Sequence, residues 1–452
     1  MGLPLSLNED YDVEGLRTRF MKAWTRSDSI FDIVGPQGMR AQPIVWRHPF
    51  VFYVGHLPAF SWNQICGGIL EWKSFNSYFD DLFCRGIDPD VDTGECHWHP
   101  EVPESWPSFA ETAQYRDKVR GAIMESVEML RYSGSREVMA RGGRAFEMVL
   151  EHEYMHQETL LYMMLQLPVD EKRRPEHVGA PVSRPAATSR AIRIPPGKAR
   201  MGARFSAIPF GWDNEFGEHV VEVPSFIIDS LPVTNDQFYE FVFCGAYEDE
   251  RYWRAEDWRW KRLEEKRCPS FWLEDQGNWS YRGMFDVVSL SDVGSWPVYV
   301  SLAEARAYAK WRGKRLPTEA EFHRAAFYGP DKKESIYPWG TALPAACHGN
   351  FGFGAWSPLP VGSHPAGDSR WGISELVGNG WELTDTPFAP FPGFTPYMKT
   401  YPDYSKDFFD GKHFVLKGAS WATATELLRP SFRNWYQAHY PYVFAKFRCV
   451  SD

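Results

Sequence analysis

One break in texture divides this chain into two halves of different kinds. Before it, three segments carry apolar residues at helical spacing: YDVEGLRTRFMKAWTRSDSIFDIV, ETAQYRDKVRGAIMESVEMLR and RAFEMVLEHEYMHQETLLYMMLQL. After it come short strand-like runs, AIRIPPGKARMGA and HVVEVPSFIIDSLPV, among loops in which Gly, Pro and Trp recur. Two helical segments interrupt that second texture. TNDQFYEFVFCG has Thr234 as its N-cap, and SLAEARAYAKWRG pairs Ser301 with Glu304 in a capping-box pattern. The break itself, PVDEKRRPEHVGAPVSRPAATSR at 168–190, is dense in proline, charge and small side chains, as linkers are. A chain of 452 residues exceeds one hydrophobic core. The reading is therefore an α+β multidomain protein, with a helical bundle over 1–170, a linker over 171–192 and a mixed domain over 193–452.

Charge and composition narrow the function. A net charge of −10 with no basic run argues against a nucleic-acid partner, because phosphate binding needs a positive field. The seven cysteines are odd in number and scattered, and none forms a CxxC, so neither a disulfide framework nor a zinc knuckle is indicated. The N-terminus has no basic region followed by an apolar run, and no stretch of 18 apolar residues exists. A reduced, cytoplasmic protein with no membrane partner is expected.

The chemistry begins at EHEYMHQETLL, residues 151–161. On a helix, His152 and His156 share a face, and that face continues as Ala145, Val149, Leu160, Met163 and Leu167. Both imidazoles thus sit inside an apolar stripe, where each needs partners for its nitrogens. A shared metal ion supplies one to each. The neighbouring acids point elsewhere: at about 100° per residue, Glu153 lies ~80° and Glu158 ~140° from the midpoint of the pair. Further ligands must come from another element. His56, deep in the apolar run RHPFVFYVGHLPAFSWNQI, is the best candidate, while His48 at its edge reads as surface or structural. His97 and His99, in an irregular loop, are not excluded. Three neutral imidazoles suit Zn(II), Fe(II) and Cu(II) almost equally, and the HExxxH spacing is not the HExxH of zinc proteases.

At these residues the chain resembles a known family, the sulfoxide synthases of ergothioneine and ovothiol biosynthesis. VGHLPAF and HEYMHQE match the iron motifs of that family's DinB-like four-helix bundle. PFGWDNEFGEH, KRLPTEAEFHRAA, GNGWELT, VLKGASWAT and RPSFRNWYQAHYPYVFAKFRC resemble its C-type-lectin-like, formylglycine-generating-enzyme-like domain. The resemblance implies that His56, His152 and His156 bind Fe(II), and that O2 is used to join a thiol to an imidazole carbon with oxidation of the sulfur. It implies a catalytic tyrosine, for which Tyr401 is favoured over Tyr397 and Tyr404, and a substrate pocket at Asn434 and Trp435.

Departures from the family pattern refine the substrates. Members that take a γ-glutamyl thiol have an acid and a base where this chain has Tyr436 and Tyr440, which favours a smaller thiol such as cysteine. Arg85 is a candidate for the thiol substrate's carboxylate. Hercynine is the expected acceptor. The alternatives are histidine (an ovothiol-type 5-histidylcysteine sulfoxide synthase), a selenosugar in a selenoneine synthase, a zinc-dependent DinB-like thiol transferase, and a non-catalytic binding protein. The absence of a methyltransferase domain after residue 452 disfavours a complete ovothiol enzyme. Cys347 and Cys449 lack the context of a copper-binding pair, which argues against sulfatase activation. Trp311 and Trp381 are expected in the core of the second domain.

Overall fold

The computed structural model describes residues 11–84, 86, 103–131, 138–185, 187–398, 400–402 and 404–452. They fall into two compact units. The first is residues 1–174 together with two later stretches, 204–213 and 395–406; the second is 175–203, 214–394 and 407–452. Two loops that lie within 193–452 in sequence are therefore part of the first unit.

Four longer helices build the first unit: Val13–Phe31, Phe50–Ser61, Phe109–Arg131 and Arg144–Leu165. Asp12 starts the first by accepting from the Gly15 amide. Phe50–Ser61 is buried at every position, so its sequence has no polar stripe to betray a helix. Pro58 removes an amide donor inside it. From Trp62 to Ile69 the helix widens into a π-helical segment, and the Leu70 amide donates to the Ile65 carbonyl five residues back at 2.9 Å. Buried polar contacts fix the register of the first helix against the last. The Gln157 amide donates to the Ala23 carbonyl and to Ser27 Oγ, both at 3.0 Å, and the Ser27 hydroxyl donates to Glu153 at 2.5 Å.

The second unit is a set of small sheets. Its central sheet orders Asn434–Gln437, His413–Ala419, Gly380–Pro387 and Ala445–Lys446, antiparallel except for the last pair. A second sheet places Phe226–Asp229 between Ala191–Ile194 and Val450–Ser451, tying the end of the chain to the start of the unit. Among the unit's described helices are Asn235–Phe243, Leu302–Trp311 and Glu319–Phe327. Each opens on a complete capping box, at Thr234, Ser301 and Thr318 respectively. The first two are the helices read from the sequence. Glu319–Phe327, within KRLPTEAEFHRAA, is an additional one. Trp381 is buried, whereas Trp311 ends its helix half-buried. On the parallel pair of the central sheet, Glu382 pairs with Lys446 at 3.3 Å and with Arg448 at 2.8 Å, all three groups without solvent exposure. Among the described residues no helix is long and apolar enough to cross a membrane.

Candidate metal centre

The helix Arg144–Leu165 carries His152 and His156 one turn apart, and the helix Phe50–Ser61 carries His56. All three are buried. Their Nε2 atoms converge: 3.1 Å separates those of His152 and His156, and 3.2 Å those of His156 and His56. Among the described residues this is the one group of three or more His, Cys, Asp or Glu side chains placed to hold an ion. Glu153 is turned away to Ser27, as its helical angle requires. His48 packs on Phe52 and Trp106 and lies 3.3 Å from the Gly86 carbonyl through Nε2, a structural role.

Protonation favours ligation. Burial pushes His56 down to about 4, against the Phe83 hydrogen bond that raises it. Burial and the neighbouring imidazoles push His152 well below its ordinary value, and burial, His56 and Arg47 do the same to His156. The imidazoles are thus neutral, each with a lone pair to give. The His56 tautomer is set by the Phe83 carbonyl, which accepts from Nδ1–H at 2.7 Å and leaves the lone pair on Nε2. Nδ1 of His156 is buried without a hydrogen-bond partner among the described residues, so that ring is oriented by packing, with Tyr53 at 5.8 Å. Three lone pairs cannot satisfy one another at these distances, but a shared cation satisfies all three. With two of the Nε2–Nε2 separations at 3.1 and 3.2 Å, the three nitrogens lie close enough to share one ion.

Aromatic rings fix the imidazole planes. Phe60 lies face to face on His152, with centroids 3.6 Å apart and planes 8° from parallel. Phe52 stacks on His56 at 5.0 Å. Phe52, His56 and Phe60 are four residues apart on one helix, a spacing by which the sequence itself marks these rings as neighbours.

The three candidate tyrosines lie on the stretch 395–406 and differ in their contacts. Tyr397 donates its hydroxyl to the Gly211 carbonyl. Tyr404 stacks on Trp212 at 4.0 Å and reaches Met155 Sδ at 3.7 Å. Tyr401 stands edge-on against Phe60 at 5.4 Å, one ring removed from His152.

The remaining candidates belong to the second unit, apart from Arg85, which lies outside the described residues along with His97 and His99. Asn434, Trp435 and Tyr436 are consecutive on one strand, in register with Leu416, Val415 and Phe414. Strand alternation puts Asn434 and Tyr436 on one face and Trp435 on the other. Trp435 stacks on Phe388 at 4.2 Å, and Tyr436 stacks on Tyr440 at 5.4 Å.

Comparison with known proteins places this architecture. Residues 178–452 match the sulfatase-modifying factor enzyme 1-like domain. The chain is 35% identical over 350 residues to the hercynine oxygenase of Mycolicibacterium thermoresistibile, covering 76% of this chain and 75% of that one. To the hercynine oxygenase of Mycolicibacterium smegmatis it is 37% identical over 316 residues, covering 69% and 72%. To ergothioneine biosynthesis protein 1 of Neurospora crassa it is 30% identical over 509 residues, covering 95% of this chain and 57% of that protein. With a sulfatase-modifying factor-like domain and likeness to these oxygenases over more than two thirds of each chain, the chain belongs to the sulfoxide synthase family of the hercynine oxygenases.

Proposed function

We propose that the protein is a non-heme Fe(II)- and O2-dependent sulfoxide synthase that joins cysteine to hercynine in ergothioneine biosynthesis. The observation that carries this reading is the convergence of three neutral, buried imidazoles on one point in a chain similar to hercynine oxygenases. Three neutral imidazoles suit Fe(II), and the likeness to hercynine oxygenases favours it over zinc. Bound there, Fe(II) would supply O2 activation with open positions for the thiolate and the imidazole.

The reaction balances without an external reductant. Forming a C–S bond from C–H and S–H releases two electrons, and oxidising sulfur to the sulfoxide releases two more. These four reduce one O2, with one oxygen ending on sulfur and the other in water. The chain's own residues bind, orient and move protons. His56, His152 and His156 are the ligands, with His56 held by Phe83 and His152 by Phe60. Tyr401, one ring from His152, is the proton donor to the reacting oxygen. In the second unit, Asn434 and Trp435 belong to the substrate pocket. The stacked pair Tyr436–Tyr440 offers no charge to a γ-glutamyl group, which supports free cysteine as the thiol. The bundle is DinB-like in this reading, and Arg85 is a candidate for the cysteine carboxylate.

Anaerobic loading with Fe(II), followed by O2 uptake with cysteine plus hercynine or histidine, tests the reading. Uptake with hercynine and loss of both metal and turnover in His152→Ala/His156→Ala are expected. Uptake with histidine alone would move the protein to the ovothiol branch, and uptake only with a selenium donor to selenoneine synthesis. No uptake with any of these, alongside tight zinc binding, would overturn the oxygenase reading.

A further inference from the structure

Tyr401 sits on a stretch with no helix or strand among its described residues up to Ser405, so something other than backbone ladders must hold it. The π-helical segment Trp62–Ile69, which directly follows the helix of His56, provides the hold. Its Gln64 clasps Thr400, the residue before Tyr401, from both sides. The Gln64 side-chain carbonyl accepts from the Thr400 hydroxyl, and the Gln64 amide donates to the Thr400 backbone carbonyl at 3.4 Å. One turn on, a Cβ on Gly68 would come within 2.6 Å of the Asn63 carbonyl oxygen and 2.8 Å of the Thr400 methyl, so glycine suits both the widened turn and the close approach of Thr400. Gln64 is buried, so its amide needs such partners. Such widened turns inside helices concentrate at functional sites.

We propose that Gln64 is a positioning residue for Tyr401: it fixes the tyrosine-bearing loop to the element that carries a metal ligand. This rests on the reading of Tyr401 as the proton donor. A displacement of about 1 Å in a reacting group costs up to ~100-fold in rate, which sets the size of the effect.

Gln64→Ala, Tyr401→Phe and the double variant test it, in the iron-loaded enzyme and in the metal-free protein. Gln64→Ala is expected to lower kcat by about 10- to 100-fold while Co(II) affinity of the three-histidine site stays within about twofold. Backbone hydrogen exchange across 395–406 is expected to rise at least about tenfold in the metal-free protein, where no turnover is involved. The double variant should be no slower than Tyr401→Phe alone, because a residue acting through the phenol has nothing further to lose. Thr400→Val, which removes the hydroxyl from the loop side, should reproduce the pattern and serves if Gln64→Ala does not fold. Multiplicative losses in the double variant, or unchanged exchange at 395–406, would overturn the proposal. A slow Tyr401→Phe beside a full-rate Gln64→Ala would overturn it alone. A full-rate Tyr401→Phe would overturn the tyrosine reading and this proposal together.

Discussion

Gly55, the residue before His56, offers a test of how the metal site is held. An ideal Cβ there would stand 2.5, 2.5 and 2.6 Å from three ring carbons of Phe83. Carbon atoms rest at about 3.5–4.0 Å, so in Gly55→Ala the ring must retreat by about 1 Å. It has little room, since Phe83 is fully buried with Phe79 at 5.2 Å. Such overpacking costs about 1–3 kcal/mol, while alanine inside a helix regains about 1 kcal/mol over glycine. The net loss of stability is about 0–2 kcal/mol, and the fold should survive. The site should not fare as well. The Phe83 carbonyl that moves with the ring is the acceptor for His56 Nδ1. Losing that kind of support weakens metal binding by about 10- to 100-fold. Thermal unfolding of the metal-free variant and a Co(II) titration separate the two effects. Gly121→Ala is the control: it lies in the Phe109–Arg131 helix with nothing within 4 Å of its would-be Cβ, and should gain about 1 kcal/mol with unchanged affinity. Undiminished Co(II) affinity in Gly55→Ala would refute the role assigned to the Phe83 carbonyl.

Other outcomes follow from burial and capping. Because His56 falls to about 4 in the fold against about 6.5 unfolded, the unfolded chain binds more protons between those values, and the metal-free protein should lose stability as pH falls through that window. His152 and His156 shift the same way, and saturating metal should flatten the dependence in pH-resolved thermal melts. Glu382→Gln leaves Lys446 and Arg448 buried without their counter-charge, and should cost about 3–5 kcal/mol by chemical denaturation. Thr318→Ala removes one capping box and should cost about 1 kcal/mol on the same assay.

The sequence was most legible where a period carried chemistry. His152 and His156 could be placed on one core face from spacing alone, and the same geometry turned Glu153 away from the pair, where it meets Ser27 in the seam with the first helix. His56 was legible only as a histidine in an apolar run. Its helix shows no stripe because every residue is buried, and the π-helical turn after it follows from no local signal beyond Pro58 and two glycines. The helix at Glu319–Phe327 was within reach, since Thr318 and Glu321 spell the same capping box as Ser301 and Glu304. Tyr401 could be singled out only by family resemblance, because tyrosines in aromatic loops are common. Nor does anything local in 204–213 or 395–406 tell which core they join; that depends on partners such as Trp212 and Tyr404, which find each other across nearly 200 residues of chain.

This discontinuity bears on how the protein is made. The first unit needs residues 204–213 and 395–406 as well as 1–174. At ~5–20 residues per second, a ribosome takes roughly 10–50 s to go from residue 174 to residue 406. During that time the three histidines are already synthesised while the tyrosine loop is not. The three imidazoles that converge in the finished unit thus leave the ribosome well before the loop of Tyr401 that completes it.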